Sequence, residues 1–161
     1  MIVRADEVAP QPWRNGNGLT RELRADAPAW RWRVSLADIA ADGPFSAYPG
    51  VQRWFAVVDG AGVELQFACG ARTLRCGDAP LAFDGAAAPA CRLLAGATRD
   101  LNLMLRGGAR GTMQRAVPGQ PWAEDWPLRG RFDPVGMELH WGLPTGPLTA
   151  DGESLWIGVA P

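Results

Sequence analysis

Glycine and proline residues interrupt this chain at short intervals along its whole length. The 161 residues include 20 glycines and 14 prolines, which are spread out and form no linker. Because both residues break helices and mark turns, only short regular segments fit between them. The best helical candidate is the short piece 35–41, and no longer stretch has apolar residues at helical spacing. We therefore expect an all-β protein.

Several segments show the two-residue period of a β-strand. Residues 30–36 alternate tryptophan, valine and leucine with arginine and serine, which places the tryptophans and the arginines on opposite faces. The apolar run 53–58 predicts a strand buried on both faces, and the turn 59–62 joins it to the alternating segment 63–67 as a hairpin. Further strands are predicted at 72–74, 81–83, 91–94, 101–106, 111–117, 137–141 and 155–159. Strands at this spacing are typical of a sandwich or barrel.

The strand pattern is strong up to Arg106 and weaker beyond it. We expect residues 1–106 to form the fuller, N-terminal barrel and residues 107–161 a smaller β lobe packed against it, with a long loop at 118–134. A chain of this length buries roughly 70% of its unfolded surface on folding. It therefore needs neither a disulfide nor a metal to fold.

Composition and charge exclude several classes of function. The chain has 16 arginines, no lysine and 17 acidic residues, and it lacks the basic cluster that binds nucleic acid. No run approaches the ~18 apolar residues of a membrane span, and the first ten residues do not read as a signal peptide. Three cysteines without a CxxC pair indicate buried structural thiols. We expect a cytoplasmic protein.

Two loops are candidate parts of a binding site. In residues 12–23, PWRNGNGLTREL, glycines and asparagines permit a left-handed backbone that can turn amide groups toward an anion. A tight turn leading into a strand explains the same pattern. Residues 44–50, PFSAYPG, either hold an aromatic pair near the barrel mouth or form a packed surface loop.

Arg33 and Ser35 have two alternative positions. If the tryptophans of residues 30–36 pack against the other lobe, Arg33 points into the barrel and needs a partner there. A ligand carboxylate can serve, because a guanidinium group binds it through two hydrogen bonds, and an internal acid can serve equally well. In the opposite register, the tryptophans fill the barrel and the arginines are solvated.

Segments 12–23, 32–65 and 100–108 together resemble the HutD/Ves family, and the match extends to about residue 112. One departure is Asn17, which stands where the family has the middle one of three glycines. The resemblance implies a cupin-type double β-barrel (bicupin) with a reduced C-terminal lobe.

Neither a metal nor another cofactor is expected. Metal-binding cupins use a His-x-His pair and a glutamate, and the resemblance places the pair near Ser46 and Tyr48 and the glutamate near Gln52 or Arg53. His140 is the single histidine and cannot form a metal centre alone. No G-x-S-x-G elbow is present, so the sequence does not indicate a Ser/His/Asp site.

Members of this family are associated with histidine utilisation, whose intermediates include urocanate and formylglutamate. The resemblance therefore implies a metal-independent cupin that binds a small acidic metabolite and moderates that pathway. We expect the ligand to contact Trp13, Arg14, Asn15, Arg33, Ser35, Phe45, Ser46, Tyr48, Arg53 and Asn102.

Two alternatives stay open. The first is a metal-free isomerase or hydrolase that uses Tyr48, Glu22 or His140 as an acid or base. The second is a protein-interaction module or homodimer, since eight tryptophans exceed what a small core needs and aromatic residues are favoured at interfaces.

Overall fold

The computed structural model describes all residues, Met1–Pro161, and contains fifteen β-strands, two short 3-10 turns and no α-helix. The strands are β1 Ile2–Arg4, β2 Gln11–Pro12, β3 Gly18–Ala25, β4 Trp32–Ile39, β5 Gly43–Pro44, β6 Gln52–Asp59, β7 Val63–Phe67, β8 Gly70–Leu74, β9 Leu81–Asp84, β10 Ala90–Leu93, β11 Thr98–Leu105, β12 Arg110–Arg115, β13 Leu128–Asp133, β14 Glu138–Trp141 and β15 Leu155–Ala160. The 3-10 turns lie at Ala5–Glu7 and Gly85–Ala87. The all-β class is confirmed. The chain forms no helix that has both the length and the apolar character to cross a membrane.

The strands form three open, antiparallel sheets. A six-stranded central sheet has the order β2-β3-β4-β11-β6-β9, a four-stranded sheet the order β5-β10-β7-β8, and a five-stranded sheet the order β1-β14-β13-β15-β12. No sheet pairs its first strand with its last, so none closes into a barrel. The double barrel and the boundary after residue 106 stay predictions, although Ile2–Arg4 pair with β14 in the otherwise C-terminal sheet.

The central sheet contributes apolar side chains to a hydrophobic core on each of its faces. On one face, Leu36 and Leu103 belong to a 17-residue core that includes Ile157 of the five-stranded sheet. On the other face, Phe55 belongs to an eight-residue core with Leu65 of the four-stranded sheet. The central sheet is therefore the middle layer of the fold.

A tryptophan stack joins the central sheet to the five-stranded sheet. Trp32 on β4 and Trp141 on β14 are both buried, with ring centroids 5.0 Å apart and an interplanar angle of 20°. Because side chains alternate along a strand, this position of Trp32 turns Arg33 and Ser35 to the opposite face. The structure thus adopts the register in which the β4 tryptophan packs against the C-terminal sheet.

Three local predictions are wrong. Residues 35–41 are not helical, because β4 continues through most of them and buries side chains on both of its faces. The predicted loop 118–134 contains strand β13. Cys69 and Cys76 are exposed, since they lie in the connections around the edge strand β8, and only Cys91 is buried.

The Trp32–Trp141 stack predicts a strong dependence of stability on one side chain. Trp141→Ala removes a buried ring and leaves a cavity between two sheets, so we expect the free energy of unfolding to fall by about 3–5 kcal/mol. Urea denaturation followed by circular dichroism measures this change. The control is Val135→Ala, at a residue that is 87% exposed, and its effect should stay below about 0.5 kcal/mol. A loss similar to that of the control would contradict this role of the stack.

Candidate ligand-binding cavity

A cavity of about 520 Å³ opens on the face of the central sheet that lies opposite the tryptophan stack. Strands β4, β6 and β11 form its floor, and the loops before β3 and β6 form its walls. The lining residues are Gln11, Pro12, Trp13, Arg14, Asn15, Thr20, Glu22, Arg33, Ser35, Ala37, Pro44, Phe45, Ser46, Tyr48, Arg53, Asp100, Asn102 and Met104. All ten residues that we expected to contact a ligand are among them. Their contact with a ligand stays a prediction.

The register of the central sheet brings two arginines to the same floor. Met104 on β11 pairs with Arg33 on β4 and with Arg53 on β6, so the three residues stand in one row across adjacent strands. Neighbouring strands lie about 4.8 Å apart, which sets the two arginine backbones roughly 10 Å apart. One row further along β11, Asn102 pairs with Ser35. Strand alternation therefore delivers these polar side chains and both arginines to one surface.

Arg53 is buried among aromatic rings. The residue is 6% exposed, and its guanidinium carbon lies 5.1 Å from the ring centre of Phe45, 5.2 Å from that of Phe83 and 5.8 Å from that of Tyr48. Cation–π contacts are favourable, but they do not replace a counter-ion. Burial lowers the pKa of Arg53 to about 10, so the group stays charged at neutral pH.

Asn102 stands between Arg53 and a buried acid, Asp100. The side-chain oxygen of Asn102 accepts a 2.8 Å hydrogen bond from Nη2 of Arg53, and its Nδ2 donates to Oδ2 of Asp100. Asp100 is 1% exposed. Burial raises the pKa of Asp100 to about 7, while the positive charge of Arg53 opposes the rise. Oδ1 of Asp100 and Nε of Arg53 are buried without a hydrogen-bond partner.

The loop before β3 is a tight turn. The amide of Gly16 donates to the carbonyl of Trp13 at 3.0 Å, and the amide of Asn17 donates to Oδ1 of Asn15 at 2.9 Å. Because both amides are used within the loop, they are not free to bind an anion. Nε1 of Trp13 donates to Oγ1 of Thr20 at 2.8 Å, which fixes the indole ring beside the cavity.

The loop that carries Phe45 and Tyr48 is both packed and part of the cavity wall. The amide of Phe45 donates to the carbonyl of Pro89 at 3.0 Å, and the amide of Tyr48 donates to that of Gly85 at 2.8 Å. Phe45 is buried and meets the ring of Trp13 edge-on, with centroids 6.4 Å apart. Backbone hydrogen bonds therefore hold the aromatic wall in place.

The three residues considered as an acid or base do not come together. Tyr48 and Glu22 line the cavity. His140 lies on β14, where it borders a separate groove of about 240 Å³ with Arg131 and Trp156. Nowhere in the structure do three or more His, Cys, Asp or Glu side chains gather as a metal site would require.

Eight of the 18 residues that line the cavity were not among the expected ligand contacts, although Glu22 was considered as an acid or base. The most informative of them is Asp100. The alternation that placed Asn102 and Met104 on one face of β11 extends one step back to this residue. The two-residue period of the strand could therefore have predicted that Asp100 faces the cavity.

The fold and the cavity define a small all-β protein with an arginine-lined cavity on its central sheet. The model of the HutD family matches residues 5–125, and the chain belongs to this family. An uncharacterized 21.2 kDa protein in the hutC 3' region of Pseudomonas putida is 39% identical over 108 residues, which are 64% of this chain and 56% of that protein. Protein Ves of Citrobacter koseri is 47% identical over 57 residues, which are 34% of this chain and 30% of Ves. The chain thus matches about half of the first relative's length and less than a third of the second's. The resemblance to the HutD/Ves family is confirmed.

One solved structure matches nearly the whole chain. The structure of HutD from Pseudomonas fluorescens SBW25, in a formate condition, superposes with a TM-score of 0.87 at 28% sequence identity. The superposition covers 99% of this chain and 97% of that chain. The likeness therefore extends through the C-terminal sheet.

The raised pKa of Asp100 predicts a pH dependence of stability. Its pKa is about 7 in the folded protein against 3.8 in the unfolded chain, so the folded state binds this proton more tightly. The contribution of Asp100 to stability is therefore fully present below pH 3.8 and is lost as the pH rises through 7. Asp100→Asn removes this titration, and the stability advantage of wild type over the variant should shrink between pH 4.5 and pH 8.

Urea denaturation of both proteins at each pH measures this difference. The control is Asp151→Asn, because Asp151 is exposed and does not line the cavity. The difference in the free energy of unfolding between Asp151→Asn and wild type should be the same at both pH values. A difference for Asp100→Asn that does not change with pH would show that Asp100 has an ordinary pKa.

Proposed function

We propose that the cavity binds a small acidic metabolite of the formylglutamate or urocanate class, without a metal, and that the protein thereby moderates histidine utilisation. The observation that carries this proposal is the pair of arginines on the floor of one cavity, Arg33 and Arg53, neither of which forms a direct ion pair. A carboxylate ligand supplies the counter-ion, and its two oxygens match the geometry of a guanidinium group.

The electrostatics of the floor support an anionic ligand. An unpaired buried charge is strongly unfavourable, so a buried guanidinium normally pairs with an acid. Neither Arg33 nor Arg53 takes part in an ion pair. Arg33 instead contacts the sulfur of Met104 at 3.3 Å and lies 4.8 Å from the ring centre of Trp30. Both contacts are weaker than an ion pair with a carboxylate would be.

The size and the walls of the cavity support a small metabolite. Its volume of about 520 Å³ lies in the range of roughly 300–1,000 Å³ that is usual for small-molecule sites. Trp13, Phe45 and Tyr48 supply apolar surface, while Ser35 and Asn102 supply hydrogen-bonding groups. This combination of apolar walls and few polar groups is typical of sites that fix the orientation of a ligand.

The description of one relative supports the proposed pathway. The Pseudomonas putida protein is described by its place in the hutC 3' region. This gene context supports the link to histidine utilisation.

We extend the proposal to the architecture and the setting of the site. The cavity belongs to the larger lobe of a cupin-type fold built from open sheets, residues 107–161 are its reduced second lobe, no cofactor is used, and the protein works in the cytoplasm. The family resemblance puts Ser46 and Tyr48 near the place of the two histidines of metal-binding cupins, and Gln52 or Arg53 near the place of the glutamate. Hydroxyl groups with an amide or a cation at these positions favour an anion over a metal ion.

The alternative of a protein-interaction module has less support. Each of the eight tryptophans is either buried or intermediate in exposure, so they do not form an exposed aromatic surface. Self-association as a homodimer stays a prediction, and sedimentation at several protein concentrations tests it.

Titrations with formylglutamate, urocanate, glutamate and histidine test the binding proposal. At 100 times the dissociation constant, a ligand stabilises the fold by about 2.7 kcal/mol, which raises the melting temperature by several degrees. Arg33→Gln removes a charge-assisted hydrogen bond to the ligand, and we expect the affinity to fall roughly 10- to 100-fold. Isothermal calorimetry measures the affinity, and thermal unfolding measures the shift.

The matched control is Arg24→Gln, because Arg24 is an exposed arginine of β3 that does not line the cavity. It should bind as wild type does. The absence of a thermal shift with all four compounds at millimolar concentration would overturn the proposal. Turnover of any of them that Tyr48→Phe abolishes would instead favour the enzyme alternative.

A further inference from the structure

Asp100 is a buried acid to which the proposed binding of a carboxylate assigns no role. It lines the same cavity as Arg53, it is 1% exposed, and its Oδ1 has no hydrogen-bond partner. A second anion beside an anionic ligand would be unfavourable unless something lies between them. A ligand that brings a hydrogen-bond donor as well as a carboxylate would satisfy Oδ1 and separate the two negative charges.

Asn102 fixes what the two neighbouring groups can still bind. Its oxygen accepts from Nη2 of Arg53 and its Nδ2 donates to Oδ2 of Asp100, so both ends of the amide are occupied. The remaining unpartnered atoms are a donor, Nε of Arg53, and an acceptor, Oδ1 of Asp100. Because one amide group bridges the two side chains, this donor and this acceptor belong to the same part of the cavity floor.

A complementary ligand needs an acceptor for Nε of Arg53 and a donor for Oδ1 of Asp100 within one small molecule. A carboxylate beside an N–H group has this arrangement, as in an α-amino acid or an N-acyl amino acid. The carboxylate faces Arg53, and the N–H group donates to Oδ1 of Asp100. The N–H group also separates the ligand's negative charge from the acid, which removes the repulsion between them.

We infer that Asp100 is a specificity-determining residue that selects carboxylates carrying an N–H donor on the adjacent carbon. This inference rests on the proposed binding of an acidic metabolite and narrows its ligand class. A plain dicarboxylate would set a methylene group against Oδ1 and leave that atom unpaired. A site built to pair with a donor rejects an analogue that lacks it far more strongly than a purely apolar pocket would.

Three matched acids test the inference by calorimetry on the full chain. N-formylglutamate carries an amide N–H beside its carboxylate, glutamate carries an ammonium group there, and glutarate carries only a methylene group. We expect wild type to bind glutarate at least tenfold more weakly than the better of the other two. Tighter binding of N-formylglutamate indicates an amide donor, and tighter binding of glutamate indicates an ammonium donor.

Asp100→Asn tests the residue itself. In this variant the amide oxygen keeps the bond from Asn102, so the group that faces the ligand becomes an NH₂ donor. We expect the preference over glutarate to fall to less than threefold, while Asp151→Asn keeps the wild-type preference. Urea denaturation confirms that the variant is folded; if it is not, the three acids on wild type still decide the matter.

Two results would overturn the inference, and they have different meanings. If wild type binds glutarate within threefold of both other acids, the role of Asp100 is wrong while the acidic-metabolite proposal survives. If none of the three acids nor urocanate binds, the proposed function fails and the inference fails with it.

Discussion

The antiparallel register of β4, β11 and β6 is the constraint on which the rest of the structure depends. The register that buries Trp32 and Leu103 against the five-stranded sheet also delivers Arg33 and Arg53 to the opposite face. A slip of one residue would exchange these faces, placing leucines in the cavity and guanidinium groups in the core. Such a slip is excluded by the cost of burying unpaired charge among hydrocarbon. One hydrophobic pattern therefore specifies both the core and the candidate site.

Two sets of charged side chains on the central sheet show why the cavity, rather than another polar cluster, is the candidate site. On the other face, Asp38 lies between Arg21 and Arg99, with nitrogen–oxygen distances of 2.5 and 2.6 Å. Both of these arginines therefore have an ion-pair partner within the protein. In the cavity, Asn102 keeps Arg53 from a direct ion pair, and the arginine charge stays available. Buried charges without internal partners are the ones that indicate a binding function.

The strands and the two faces of β4 and β11 were predictable from the sequence, because a two-residue period is a local property. The choice between the two registers was not, since it depends on Trp141, which meets Trp32 only through tertiary packing. The helical interpretation of residues 35–41 failed because burial on both faces of a strand hides its period. Asp100 was missed for a different reason. The predicted strand began at residue 101, one residue too late to include it, whereas the strand itself begins at Thr98.

The role of Asn17 could not be predicted from the backbone conformations that asparagine tolerates. We noted it as a departure from a family glycine, in a loop where asparagine was expected to tolerate a left-handed backbone. Only Gly16 in this turn has a positive φ, at 75°, so Asn17 does not need that tolerance. Its Nδ2 instead donates to the carbonyl of Asp42 at 3.1 Å, and its own carbonyl accepts from the amide of Ala40 at 2.8 Å. A glycine at this position would keep the second bond and lose the first.

The space for the side chain of Asn17 is provided by Gly43, where an added Cβ would overlap Nδ2 of Asn17. These two residues therefore depend on each other, and together they tie the loop before β3 to the connection that leads from β4 to the aromatic wall. The cavity walls are fixed by these bonds during folding. Because the walls are already ordered, the entropic cost of ordering them does not reduce the affinity for a ligand. A change at either residue should act on binding through the position of the walls, because neither side chain lines the cavity.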